Sequence, residues 1–139
     1  MQLWFRRYRP CCILRVLMTD VACEKYVLLV EDDLDIREVL VDILSDWGYQ
    51  VVAVNDGRAA LDALARRQPP PCVALVDLMM PVMDGIELVS RMRADITLSR
   101  IPVVITSATP TSAPGGVAAV FAKPLDLDRL HDAVRTLCG

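Results

Sequence analysis

The sequence predicts an α/β domain built on a doubly wound, five-stranded parallel sheet, and three observations predict it. Five short apolar runs, Tyr26 to Val30, Gln50 to Val54, Val73 to Asp77, Pro102 to Ser107 and Ala119 to Ala122, alternate with amphipathic stretches. Most of these runs lack polar alternation, as strands covered on both faces do. The 139 residues suffice for one buried core and are too few for two ordinary ones.

Each intervening stretch has its own signature. After the first run, Val39, Leu40, Ile43, Leu44 and Trp47 recur at helical spacing, and Gly48 stops the helix where a left-handed cap is wanted. Asp33 is expected to cap that helix, which begins near Leu34. A second helix is predicted from Gly57 to Arg67, ended by Pro69, Pro70 and Pro71. A third begins at Asp84 and carries Ile86, Leu88, Val89 and Met92; the last follows Pro124 and carries Leu127, Leu130, Val134 and Leu137. The stretch from Ala108 to Ala119 holds Pro110, Pro114, Gly115 and Gly116. Pro and Gly oppose a helix interior by roughly 3 and 1 kcal/mol relative to Ala. The fourth helix, between the fourth and fifth strands, is therefore expected to be stunted or missing.

Charge and residue usage narrow the function. Met1 to Leu17 carries four arginines and no acid, so the net charge of -3 divides into +4 for this leader and -7 for the rest. An acidic body is a poor match to a phosphate backbone, and no nucleic-acid binding is expected of the domain. Arg15 interrupts the leader's apolar stretch, which falls short of the roughly 18 apolar residues of a spanning helix; no membrane span and a cytoplasmic location are expected. Residues 1–17 are expected to be a disordered basic leader or untranslated sequence read as protein, with Met18 the natural start and one domain over residues 25–139. The five cysteines are odd in number and lack paired zinc-site spacing, so reduced thiols are expected. His131, the single histidine, leaves little from which to build a histidine zinc site or a Ser-His-Asp hydrolase, and is expected to be solvated on the last helix. Met79, Met80 and Met83 are read as apolar loop packing.

Ligands of doubly wound sheets bind outside the carboxyl ends of the strands. The first strand ends in Glu31, Asp32 and Asp33, the third in Asp77, the fourth in Thr106 and Ser107, and the fifth in Lys123 followed by Pro124. Glu31, Asp32 and Asp77 would converge at neighbouring central strands, where repulsion is costly unless a cation sits among them, and three carboxylates suit Mg²⁺. Lys123 adds a second positive charge and the fourth strand a hydroxyl donor. This is the chemistry of a phosphoryl site, with a carboxylate as nucleophile and the metal and lysine neutralising the transferring group.

The segments VLLVEDD, ALVDLMMPVMDG, VVITSA and FAKP, in this order, resemble the response regulator receiver family from about Tyr26 to Cys138. The resemblance implies a flavodoxin-like receiver fold with Asp77 as phosphoacceptor. It implies Glu31, Asp32, Asp77 and the Met79 carbonyl as Mg²⁺ ligands, and Ser107 and Lys123 as contacts to the phosphoryl oxygens. Pro81, Asp84 and Gly85 would complete the loop after the acceptor, Gly85 supplying backbone freedom. The implied partners are a sensor histidine kinase or histidine phosphotransfer protein, and an output protein of unknown identity. With Gly139 the last residue, that output is expected to be a separate protein, and the chain a signalling phosphoacceptor whose own activity is limited to self-catalysed phosphotransfer and dephosphorylation.

Two features depart from the family pattern. The family places an aromatic three positions before the lysine, and here that residue is Val120; the adjacent Phe121 is expected to point to the other face, as Thr106 does relative to Ser107. The stunted helix also removes part of a surface through which many members meet partners, and a monomer is expected. Three readings stay open: a phosphorylation-controlled binding switch, a phosphotransfer intermediate between histidine proteins, and a phosphorylation-independent interaction module. A haloacid-dehalogenase-like phosphatase would need an acid two residues beyond Asp77, where Met79 stands.

Overall fold

The computed structural model describes residues 25–139 apart from Gln68, Thr111 and Ser112; the expectations for the leader and for Cys11, Cys12 and Cys23 lie outside the described residues. The order is β1 (Tyr26–Val30), α1 (Leu34–Asp46), β2 (Gln50–Val54), α2 (Gly57–Arg66), β3 (Val73–Asp77), α3 (Gly85–Ala94), a 3-10 turn (Leu98–Arg100), β4 (Val103–Ser107), β5 (Ala119–Ala122) and α4 (Leu127–Cys138). All pairings are parallel, in the order β2-β1-β3-β4-β5. The chain reverses direction across the sheet between β1 and β3, so the crevice at their carboxyl ends is the place where a ligand can enter.

Position in the sheet decides which strands lie inside. β1, β3 and β4 are buried along their whole length, whereas the edge strands β2 and β5 are partly exposed. Alternation divides the core in two. Leu28, Val30, Val76 and Ile105 pack with Leu64, Leu88 and Met92 of α2 and α3; Val27, Leu29, Leu75 and Val104 pack with Leu40, Leu44, Leu130 and Val134 of α1 and α4. Each helix starts on an aspartate: Asp33, Asp56, Asp84 and Asp126 accept from the amides of Ile36, Ala59, Glu87 and Arg129 at 3.1, 2.8, 2.8 and 3.1 Å. Such caps contribute about 1 kcal/mol each. Gly48 follows α1 at φ +99°, the left-handed conformation expected there.

Between β4 and β5 no α-helix forms among the described residues, and Arg93 of α3 donates to the Gly115 carbonyl of this connection. The helix that is fourth in chain order, α4, is complete at 12 residues. β5 consequently shows Val120 to solvent, while Phe121 turns into the core.

Several expectations are corrected. Cys72 and Cys138 are joined by a disulfide across a separation of 66 residues, because the start of β3 and the last turn of α4 meet below the sheet. His131 is half-buried and stacks on Trp47, with ring centroids 4.2 Å apart, because α1 and α4 share one face. Val39, Ile86 and Leu127 are exposed although they lie on apolar stripes, and Met79 is exposed while Met83 is buried against Gly57. A Cβ on Gly85 would stand 2.7 Å from the Asp77 carbonyl oxygen, so this glycine is required by close approach and not by backbone freedom.

Candidate functional site

The apolar strands deliver their polar last residues to one crevice. Glu31 follows β1 and is 1% exposed; Asp77 ends β3 and is 5% exposed; Asp32 is exposed at the rim. One carboxylate oxygen from each of the three lies within 4.8 Å of the others. Lys123, just past β5, reaches in to Glu31 Oε2 at 3.2 Å and Asp77 Oδ1 at 3.4 Å. With all three ionised, the carboxylates exceed the single ammonium by two negative charges, and they offer a donor set of hard oxygens that fits Mg²⁺.

Local hydrogen bonds hold the acids in place. The Asp33 amide donates to Glu31 Oε1 at 3.2 Å, and the Met79 amide donates to Asp77 Oδ1 at 3.3 Å. Arg37 reaches back from the first turns of α1 and donates to the Glu31 carbonyl at 2.9 Å and the Asp32 carbonyl at 3.4 Å. Sequence reasoning missed Arg37; the only available signal was a cation one turn inside a helix that starts beside the acids. Asp84 caps α3, and the Gly85 amide donates to the Leu78 carbonyl at 3.0 Å, which draws α3 against the residue after Asp77.

Ser107 is fully buried; its Oγ accepts the Thr109 amide at 2.9 Å and lies 3.4 Å from Thr109 Oγ1. Accepting that amide leaves the hydroxyl proton free to donate elsewhere. The Ser107 carbonyl accepts from the Lys123 amide at 2.9 Å, so the hydroxyl and the ammonium stand on adjacent, hydrogen-bonded strand ends. The structure thus brings Glu31, Asp32, Asp77 and Lys123 together directly and sets Ser107 beside them. Met79 follows Asp77 in the same loop, its side chain outside.

Burial dominates the electrostatics. Glu31 is pushed up to about 7, by burial first and the Asp77 carboxylate second, against the opposing pull of Lys123. Asp77 is raised as well, again by burial, with Lys123 and the Met79 amide opposing. Burial alone would lower Lys123, but the Glu31 and Asp77 carboxylates outweigh it and the ammonium is held above its ordinary value. Glu31 and Asp77 therefore hold their protons more tightly than ordinary carboxylates do without a cation, and a divalent ion would replace those protons.

Residues 27–135 match the response regulator receiver domain. Sporulation initiation phosphotransferase F of Bacillus subtilis is 34% identical over 115 residues, which cover 78% of this chain and 90% of that protein. The sensor histidine kinase TmoS of Ectopseudomonas mendocina is 42% identical over 84 residues, 60% of this chain but only 8% of TmoS, so some relatives carry the likeness as a small part of a longer protein. Among solved structures, the receiver domain of a Pseudomonas aeruginosa sensor histidine kinase superposes with a TM-score of 0.75 at 26% identity, covering 83% of this chain and 98% of that one, and has a magnesium ion coordinated in its active-site cleft. With the motifs in order, the strand order and the acid crevice all in agreement, this chain belongs to the response regulator receiver domain family.

Proposed function

We propose that residues 25–139 work as a single-domain response regulator of a bacterial two-component phosphorelay, phosphorylated on Asp77 with Mg²⁺ and acting through protein–protein contact in the cytoplasm. The observation that carries this reading is the buried Asp77 carboxylate held between Lys123 at 3.4 Å and the Glu31–Asp32 pair. An Asp77 oxygen attacks the phosphorus of a phosphohistidine donor; the new P–O bond forms as the P–N bond breaks, and the imidazole leaves with the electron pair and takes a proton. Lys123 binds a phosphoryl oxygen and the Ser107 hydroxyl donates to another. Glu31, Asp32, Asp77 and the Met79 carbonyl would hold Mg²⁺, which when bound withdraws charge from the phosphoryl oxygens.

A donor must lie against the mouth of this crevice, and the surface there suits a protein. A groove of about 450 Å³ beside Lys123 is lined by Ile36, Val39, Ile43, Pro124, Leu125 and Leu127. Ile36, Val39 and Leu127 are exposed on it, an apolar surface of the kind that marks an interaction site. The partner is a sensor histidine kinase or a histidine phosphotransfer protein, and the domain itself works as a monomer without nucleic acid. Among the described residues no helix is long and apolar enough to cross a membrane.

Val120 favours a second reading, that of a phosphotransfer intermediate. An exposed valine where the family carries its inward-turning aromatic leaves less machinery for a conformational output, and passing the group on needs none. Incubation with acetyl phosphate and Mg²⁺, followed by intact mass, tests the common core of both readings. One phosphoryl group is expected on the wild type and none on Asp77→Ala; no modification of folded wild type would leave the phosphorylation-independent module. Return of the group to a phosphotransfer histidine within seconds, with no change in Trp47 fluorescence, would select the intermediate.

A further inference from the structure

We propose that Cys72 and Cys138 form a reversible dithiol–disulfide site that takes low-molecular-weight disulfides of the glutathione class and, when oxidised, locks the end of α4 to the sheet. The proposal does not rest on the role of Asp77. The two Cα atoms are 5.0 Å apart, inside the range that a disulfide spans without moving the backbone. Cys72 is half-buried just before β3, whereas Cys138 is 4% exposed in the last turn of α4. Access is therefore unequal: an incoming disulfide meets Cys72, and Cys138 can act only from inside.

The reduced form is also provided for. Cys72 Sγ lies 3.4 Å from the Tyr26 carbonyl oxygen, so a thiol there has an acceptor, and the Cys72 amide already donates to the same oxygen at 3.0 Å. The Cys138 carbonyl accepts from Lys25 Nζ at 2.8 Å, a bond that involves neither sulfur. The disulfide is thus a covalent tie placed beside a hydrogen bond that does not depend on it. In a reducing compartment, where lasting disulfides are rare, such a pair is a redox-responsive one.

The chemistry balances through exchange. The Cys72 thiolate attacks one sulfur of the disulfide RSSR and releases RS⁻, giving a mixed disulfide. The Cys138 thiolate then attacks the Cys72 sulfur and releases the second RS⁻. The protein loses two electrons and two protons, and two RSH form. The lever is α4 itself, which begins four residues after Lys123 and is buried through Leu130, Val134 and Cys138 at intervals of one turn. Releasing its last residue removes the covalent tie and leaves the final turn held by its helical hydrogen bonds, Lys25 and packing, and local opening there becomes easier.

The test uses the full chain with Cys11→Ser, Cys12→Ser and Cys23→Ser, so that only this pair remains, in buffers of oxidised and reduced glutathione. Intact mass after alkylation should show loss of two hydrogens and no lasting adduct. Cys138→Ser should trap one glutathionyl group on Cys72, and Cys72→Ser should trap none. The oxidised protein should melt on the order of 10 °C above the reduced one, with slower amide exchange confined to the last turn of α4. Failure of the folded protein to oxidise, trapping on Cys138 in place of Cys72, or melting and exchange unchanged by oxidation would each overturn the proposal.

Discussion

The two ends of the sheet follow opposite designs. At the carboxyl ends, two carboxylates are buried against a single ammonium, and the loop that follows Asp77 runs through Val82 at φ +67° with its side chain in solvent. At the amino ends, β3 is tied covalently to α4, Lys25 closes the last carbonyls of that helix, and the strands enter directly from apolar packing. One polar group there goes without a partner among the described residues, the buried Tyr26 hydroxyl. The contrast teaches that the crevice costs stability, through desolvated charge and strained backbone, and that the sheet and its lower end offset this cost.

The comparison breaks most visibly if a core residue far from the crevice proves dispensable. Leu130 is fully buried on α4 against the face that carries Phe121 and Val104. Leu130→Ala should lower unfolding free energy by about 2–5 kcal/mol, read by urea denaturation, with phosphoryl uptake by the remaining folded protein preserved. A loss below 1 kcal/mol would place the stability elsewhere than in the α4 face.

A charge removed from the crevice should have the opposite sign. Without metal, folded Glu31 holds its proton up to about 7, against 4.5 for an ordinary glutamate. The folded state binds that proton more tightly, so the stabilisation is complete below about pH 4.5 and is lost as pH rises through 7. The span amounts to roughly 3 kcal/mol. In EDTA at pH 8, Glu31→Gln should be more stable than wild type by about 2–3 kcal/mol, and at pH 4.5 the two should be alike. A wild type equally stable at both pH values would refute the buried-charge account. Added Mg²⁺ should restore wild type at pH 8 by about 2.7 kcal/mol at one hundred times its dissociation constant, and should do little at pH 4.5, where protons compete for the same oxygens. Magnesium that stabilises Glu31→Gln as strongly as wild type would remove Glu31 from the ligand set.

These contrasts mark how far the sequence was legible. The strands were readable because buried parallel strands are continuous apolar runs, and Tyr26 to Val30 or Val73 to Asp77 needed no tertiary knowledge. The convergence of Glu31, Asp32, Asp77 and Lys123 followed from topology, since strand ends on one side of a parallel sheet must meet. What stayed hidden depends on surfaces and on distant pairs. Periodicity marks Val39 and Leu127 as apolar but not how far the sheet covers a helix, so their exposure was unreadable. The bond between Cys72 and Cys138 joins residues that no local pattern relates. The caps Asp56 and Asp126 were in plain view as aspartates before amphipathic helices, and the same signal that identified Asp33 would have found them.

At the lower end, Tyr26→Phe should be neutral or stabilising by about 1 kcal/mol, since it removes a buried hydroxyl that lacks a partner among the described residues. Its counterpart at the upper end is Val82. The Met83 amide donates to the Pro81 carbonyl at 2.7 Å around it, a γ-turn whose central residue is a β-branched side chain in left-handed backbone. Being exposed, the valine side chain contributes little packing, and the turn is positioned by the Gly57 amide on the Met83 carbonyl at 3.1 Å. Val82→Gly relieves the conformational cost of a Cβ there, while the freer unfolded chain takes part of it back. Val82→Ala keeps the Cβ and gains nothing of the kind. Val82→Gly should therefore exceed Val82→Ala in stability by about 1 kcal/mol, measured by denaturant unfolding in EDTA. Equal stabilities would mean that the loop after Asp77 is unstrained, and that buried charge alone distinguishes the two ends.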